Sequence, residues 1–86
     1  MEPASIIIRP VVTEKALMLA EKSNTLILIV DIKANKPLIR EAVEKMFNVK
    51  VVKVNTAITS RGEKKAYVRL SPEHSAIDVL SRMGVM

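Results

Sequence analysis

The stretch that decides the fold runs from Val49 to Leu70: VKVVKVNTAITS at residues 49–60, RGE at 61–63 and KKAYVRL at 64–70. β-Branched and apolar residues alternate with polar ones on both sides of a short break containing glycine, the pattern of two antiparallel strands and their turn. Successive side chains on a strand point to opposite faces, so Val52, Val54, Thr56 and Ile58 share one face. Ala66, Val68 and Leu70 share a face of the second strand. A two-residue turn at Arg61-Gly62 sets Ala57 opposite Ala66 and turns the apolar faces apart. A three-residue loop, Arg61-Gly62-Glu63, sets Ile58 opposite Ala66 and Thr56 opposite Val68, with Gly62 at the position that needs a permissive backbone. The second register is therefore expected. It puts Lys65, Tyr67 and Arg69 on the other face, with Lys53, Asn55 and Ala57 across from them.

Upstream, Thr25 to Ile32 reads TLILIVDI, a near-continuous apolar run that suits a central strand covered on both faces and ending near Asp31. The spacing predicts a helix over 35–47. Asn35 can cap it, and Pro37 falls in the first turn, where its missing amide breaks no internal bond. Leu38, Ala42 and Met46, beside Ile39, Val43 and Phe47, form its apolar face. On the opposite face Arg40 stands four residues from Glu44, and Glu41 four from Lys45, so both pairs can form ion pairs. Asn48 suits a left-handed terminator.

Ser5 to Ile8 reads as a first strand or extended arm, stopped by Arg9-Pro10. Thr13 stands where a helix needs a capping hydroxyl, Glu14 follows where the helix dipole favours an acid, and Ser23-Asn24 ends the helix. At the other end, Ser71-Pro72-Glu73 reads as a helix start, Ala76, Val79, Leu80 and Met83 make one apolar stripe, and Gly84 closes it. The order is β-α-β-α-β-β-α. The expected fold class is α+β, a mainly antiparallel four-stranded sheet with helices packed against it, in a single domain spanning 1–86.

The 86 residues carry a net charge of +5, and hydrophobic residues make up 49%, enough for one core. Phe47 and Tyr67 are the only aromatics, so that core is aliphatic. Without cysteine there is no disulfide framework and no thiolate metal site. The apolar runs are too short to span a membrane and the N-terminus lacks the pattern of a signal peptide, so a soluble, cytoplasmic protein is expected. The charge is local. Residues 50–69 hold Lys50, Lys53, Arg61, Lys64, Lys65 and Arg69 against Glu63 alone, which leaves eight bases and eight acids elsewhere. Such a concentration points to a polyanionic partner.

Bases alternating with one aromatic on a strand face suit RNA: the cations meet phosphates, and a tyrosine ring stacks on an unpaired base or bonds a phosphate through its hydroxyl. Arg61, Lys64 and Lys65 at the hairpin tip extend that reach. The competing reading of the same face is a solvated strand with lysines protecting it from association. Tyr67 has two placements open to it, on an exposed face or beneath a helix. His74 is the only histidine, Gly62 and Gly84 are isolated, and no nucleophile–base pair stands out, so neither an enzyme nor a bound cofactor or metal is expected.

Four stretches carry a resemblance to a known family: Arg9 to Ala16 (RPVVTEKA), Ala42 to Phe47 (AVEKMF), Val51 to Thr56 (VVKVNT) and Lys64 to Leu70 (KKAYVRL). In order and spacing they resemble the archaeal type of large-subunit ribosomal protein number twenty-three. The resemblance implies binding to large-subunit ribosomal RNA near the polypeptide exit tunnel, through Arg9, Thr13, Lys15, Lys53, Asn55, Arg61, Lys64, Lys65, Tyr67 and Arg69. It implies a neighbouring ribosomal protein of the twenty-ninth family as partner. It also implies docking of the signal recognition particle and the protein-conducting channel. Glu14 matches an acid that meets a ribosome-bound chaperone in bacterial relatives. Those relatives carry a long extension between the last two strands, whereas here Ser60-Arg61-Gly62-Glu63 makes the whole connection, so no probe of the tunnel lumen is expected. The alternative function is a free protein–protein adaptor acting without RNA, through an exposed sheet edge.

Overall fold

In the structure, a computed structural model that describes residues 2–84, the chain begins with one helical turn, α1 (Pro3–Ile6). The strand expected from Ser5 starts only at Ile7, as β1 (Ile7–Pro10). Burial accounts for the difference. Ile6 turns into the core at 2% exposure, and its carbonyl accepts the Asp31 amide at 2.8 Å. Arg9 and Pro10 do not stop the strand. β1 lies at the sheet edge, where an outward-facing position needs no donor, and the next amide, that of Val11, reaches the Ile27 carbonyl at 2.9 Å.

α2 (Glu14–Ser23) starts where Thr13 stays extended and its hydroxyl accepts the Ala16 amide at 3.1 Å. It ends at Asn24, whose φ of 51° turns the chain into β2 (Thr25–Val30). Asp31 terminates that strand by accepting the Lys33 amide on its side chain and the Ala34 amide on its carbonyl. Asn35 caps α3 (Lys36–Phe47) through the Leu38 amide at 3.0 Å, with Asn48 as the left-handed terminator. β3 (Val51–Ile58) and β4 (Lys64–Leu70) form the hairpin. α4 (Ala76–Arg82) is capped by Ser75, not by Ser71. Residues 71–74 form a turn closed by the His74 amide on the Ser71 carbonyl at 3.0 Å, so His74 precedes the helix.

The four strands are antiparallel in the order β1-β2-β4-β3. One face of this sheet and side chains from every helix make a single cluster. It includes Ile6, Ala20, Leu26, Leu28, Val30, Ile39, Val43, Ala66, Val68, Leu70, Val79 and Leu80. Phe47 packs against it, whereas Met46 of the expected apolar face is 44% exposed.

The hairpin register differs from the expected one by two residues. The loop is Ser60-Arg61-Gly62, and Ile58 pairs with Lys64, Thr56 with Ala66 and Val54 with Val68. Gly62 has a φ of +81° and takes the last loop position; the Thr59 carbonyl accepts its amide at 2.9 Å, and Thr59 and Glu63 close the ladder at 2.8 Å. A shift of two preserves the faces, so Val54, Thr56, Ala66 and Val68 remain on the core side. At the far end a bulge at Val52 reverses the alternation: Val51 is buried at 2% and Val52 is 53% exposed. Ile58, expected inside, is 59% exposed near the hairpin tip.

Arg40 and Glu44 hold that bulge instead of pairing with each other. The Arg40 guanidinium donates to the carbonyls of Val51 at 2.7 Å and Val52 at 3.3 Å, and the Glu44 carboxylate accepts the Val51 amide at 3.0 Å. An edge-strand backbone offers groups that would otherwise need water, and this outcompetes an exposed ion pair. Glu41 and Lys45 do pair, at 2.7 Å. The ammonium's hydrogen bond and then its charge hold the Glu41 carboxyl below the usual carboxylate range.

Asn24 joins four segments. Its side-chain nitrogen donates to the carbonyls of Leu70, Ser71 and His74 at 3.2, 3.2 and 2.8 Å, and its side-chain oxygen accepts the Ala76 amide at 2.8 Å. One residue thus terminates α2 and holds the end of β4 and the start of α4. Replacing Asn24 by Gly keeps the left-handed backbone but strips these bonds, and is expected to lower stability by about 1–3 kcal/mol. Asn24→Ala, which also strains the positive φ, is expected to lose about 1 kcal/mol more. Urea denaturation of the two variants measures both effects, and equal midpoints for wild type and variants would show that the bonds contribute nothing.

Candidate nucleic-acid interface

Alternation along the strands assigns the second face of the sheet. With Leu26, Leu28 and Val30 of β2 turned to the helices, Thr25, Ile27 and Ile29 turn away from them. The registers then set three rows across this face. Thr25 stands beside Arg69 and Arg69 beside Lys53; Ile27 beside Tyr67 and Tyr67 beside Asn55; Ile29 beside Lys65 and Lys65 beside Ala57. Arg9 adds to the last row from β1, opposite Ile29. Tyr67 is therefore not beneath a helix. It is partly buried on the open face, in an internal strand, and its hydroxyl has no hydrogen-bond partner among the described residues.

Ile27 and Ile29 are 6% and 4% exposed although neither belongs to the core cluster. The side chains in register beside them, Tyr67, Lys65 and Arg9, are placed to shield them with a ring and two aliphatic stems while their polar ends stay in water. The apolar floor of this face thus carries cationic groups above it.

Lys53 and Arg69 are exposed and directly opposed across the β3–β4 ladder, with Lys65 two pairs farther along. None of the three belongs to an ion pair among the described residues. Side chains at directly opposed positions lie about 5 Å apart at Cβ, a spacing at which like charges destabilise a sheet. Glu63, which lines the loop end of the face, is already bonded to Arg9 at 3.1 Å. Arg9, Arg61 and Lys65 line one shallow hollow with Val11, Ile29 and Glu63, so the tip of the hairpin and β1 do converge.

Other residues expected in the site lie apart from this face. Lys64 stands beside Val30 and Ile58 on the core side of the sheet, and its ammonium donates to the Ala34 carbonyl ahead of α3. Thr13 uses its oxygen as the α2 cap, and Glu14 and Lys15 are exposed in the first turn of that helix. Thr25 and Ile27 belong to the face and were not among the expected residues. Their signal was the parity of β2, readable only once β4 is known to be its neighbour. No group of three or more histidine, cysteine or acidic residues gathers for a metal among the described residues, and no helix is long and apolar enough to cross a membrane.

Fold and face together define a small α+β protein with one uncovered cationic sheet surface, a class used for binding. The family model of ribosomal protein L23 matches residues 5–65. The large ribosomal subunit protein uL23 of Pyrobaculum aerophilum is 64% identical over 78 residues, 91% of this chain and 96% of that protein. The uL23 of Caldivirga maquilingensis is 52% identical over 86 residues, the full length of both. The chain belongs to the ribosomal protein L23 family: it is a structural constituent of the large ribosomal subunit, cytoplasmic with the ribosome, and not an enzyme.

The opposed Lys53 and Arg69 have a measurable consequence for the free protein. Lys53→Glu turns a like-charge pair into an opposite one and is expected to raise stability by about 0.2–1 kcal/mol at low salt. Salt shrinks the gain. Urea midpoints at two ionic strengths measure it, and a loss of stability at low salt would contradict the electrostatic reading of this pair.

Proposed function

We propose that the chain binds large-subunit ribosomal RNA through the open face of its sheet. The observation that carries this reading is the opposition of Lys53 and Arg69, with Lys65 nearby and no ion-pair partner for any of the three among the described residues. The fold gains nothing from such an arrangement, whereas a phosphate between the two cations relieves it. Lys53, Lys65 and Arg69 make the principal phosphate contacts in this reading, Asn55 and Tyr67 lie among them, and Arg9 and Arg61 extend the contact at the hairpin tip. Lys15 adds charge from α2. Thr13 and Lys64 contribute least, because a fold contact already occupies the hydroxyl oxygen of one and the ammonium of the other.

The family resemblance supports a position beside the polypeptide exit tunnel, next to a ribosomal protein of the twenty-ninth family. It also supports docking of the signal recognition particle and the protein-conducting channel. Glu14 is exposed in the first turn of α2 and forms no ion pair among the described residues, which suits a factor contact. The short 60–62 loop makes the hairpin an anchor on RNA and not a probe of the tunnel.

Binding of the full chain to large-subunit ribosomal RNA is expected to weaken steeply with salt. Joint reversal of Lys53, Lys65 and Arg69 to Glu should lower affinity at least 100-fold and reduce the salt slope by about three phosphate contacts, roughly 0.9 each or somewhat less on single strands. Lys64→Met, with its ammonium on the other side of the sheet, is expected to change stability and leave the slope nearly intact. Filter binding across a salt series measures both. Unchanged affinity in a folded triple variant would exclude this face, and no association with RNA at any salt would favour the free adaptor.

A further inference from the structure

We propose that Tyr67 is a stacking platform for one unpaired nucleobase, with Asn55 bonding the edge of that base and Lys65 and Arg69 holding the phosphates on either side. This rests on the RNA-binding reading above and narrows the ligand of the face from any polyanion to a single-stranded segment. Tyr67 is the only aromatic residue on this face, because the other, Phe47, packs against the core. It stands in an internal strand, so its ring lies inside the cationic surface and not at its rim. Lys65 and Arg69 are its same-face neighbours along β4, each about 7 Å away, which places one cation before and one after the ring.

Asn55 is the second, independent observation. Asparagine is depleted in strands, yet here it occupies the middle of β3 directly across from Tyr67. Its side chain is exposed, and its amide bonds to nothing among the described residues. The other three asparagines serve helix termini: Asn24 and Asn35 through their side chains and Asn48 through its left-handed backbone. An amide supplies both donors and an acceptor and can match the edge of any base. On the opposite flank, Ile27 provides an apolar floor beside the ring. A duplex hides the faces of its bases, so the ring beside this amide has nothing to stack on. An unpaired base uses both.

The sequence supplies its own probe. With one tyrosine and no tryptophan, the intrinsic emission of the full chain reports on Tyr67 alone. The chain is titrated at low salt with single-stranded oligouridylate, and separately with an abasic ribose-phosphate polymer of the same length. Oligouridylate is expected to quench the emission and to bind about tenfold tighter than the abasic polymer, in the range found for one base–aromatic stack. Tyr67→Phe should keep that ratio, measured by anisotropy of labelled polymers, and Tyr67→Leu should bring it close to one. Equal affinity for the two polymers, or binding without quenching, overturns the stack and leaves electrostatic RNA binding standing. Failure of both polymers to bind overturns the two readings together.

Discussion

β2 is buried on both faces while the helices cover only one, and the rest of the molecule follows from that constraint. Leu26, Leu28 and Val30 are met by aliphatic residues of α2, α3, α4 and the hairpin. Ile27 and Ile29 have no such layer and still lie at 6% and 4% exposure. Their cover must come from long side chains of the neighbouring strands, ones that are apolar at the base and polar at the tip. Tyr67, Lys65 and Arg9 are of that kind, and they sit in register beside the two isoleucines. Lys65 and Arg9 thus help to dry the second face of β2 with their stems and charge its surface with their heads. Packing and surface charge share the stems and heads of a few side chains.

The helical layer closes the other side with little help from large groups. The core is aliphatic and its polar junctions are local: a hydroxyl or amide at the starts of α2, α3 and α4, and a left-handed asparagine after α2 and after α3. Asn24 extends this device by reaching two other segments from its cap position. Arg40 and Glu44 do the corresponding work on the edge strand β3, where they hold the bulge that puts Val51 into the core and quiets an otherwise open strand.

Much of this was legible in the sequence because it depends on local periodicity. The helices at 14–23 and 36–47, their caps at Thr13 and Asn35, the terminator Asn48 and the placing of Lys65, Tyr67 and Arg69 on one face all follow from spacing. What escaped depends on partners remote in sequence or on one dihedral angle. Parity restricts a hairpin register only to steps of two, and the choice among them fell to the positive φ of Gly62. The bulge at Val52 breaks alternation, and its support comes from a helix. Lys64 looks like a tip cation until the Ala34 carbonyl, thirty residues earlier, is seen to accept its hydrogen bond. Arg40 and Glu44 satisfy the rule for a helical ion pair, and strand backbone took both. The charged face was readable as a cluster. Its floor of Ile27 and Ile29 was not, since the neighbour of β2 is set by the whole topology.

The proposed division of labour gives the helical face of the sheet to the fold and the open face to ribosomal RNA. A map of this chain in its assembled large subunit tests it most directly. The account expects RNA phosphates within hydrogen-bond reach of Lys53, Lys65 and Arg69, with α3 and α4 turned away from that RNA. Ribosomal RNA seated on the helical layer, with the Lys53–Arg69 face left open to solvent, would contradict it.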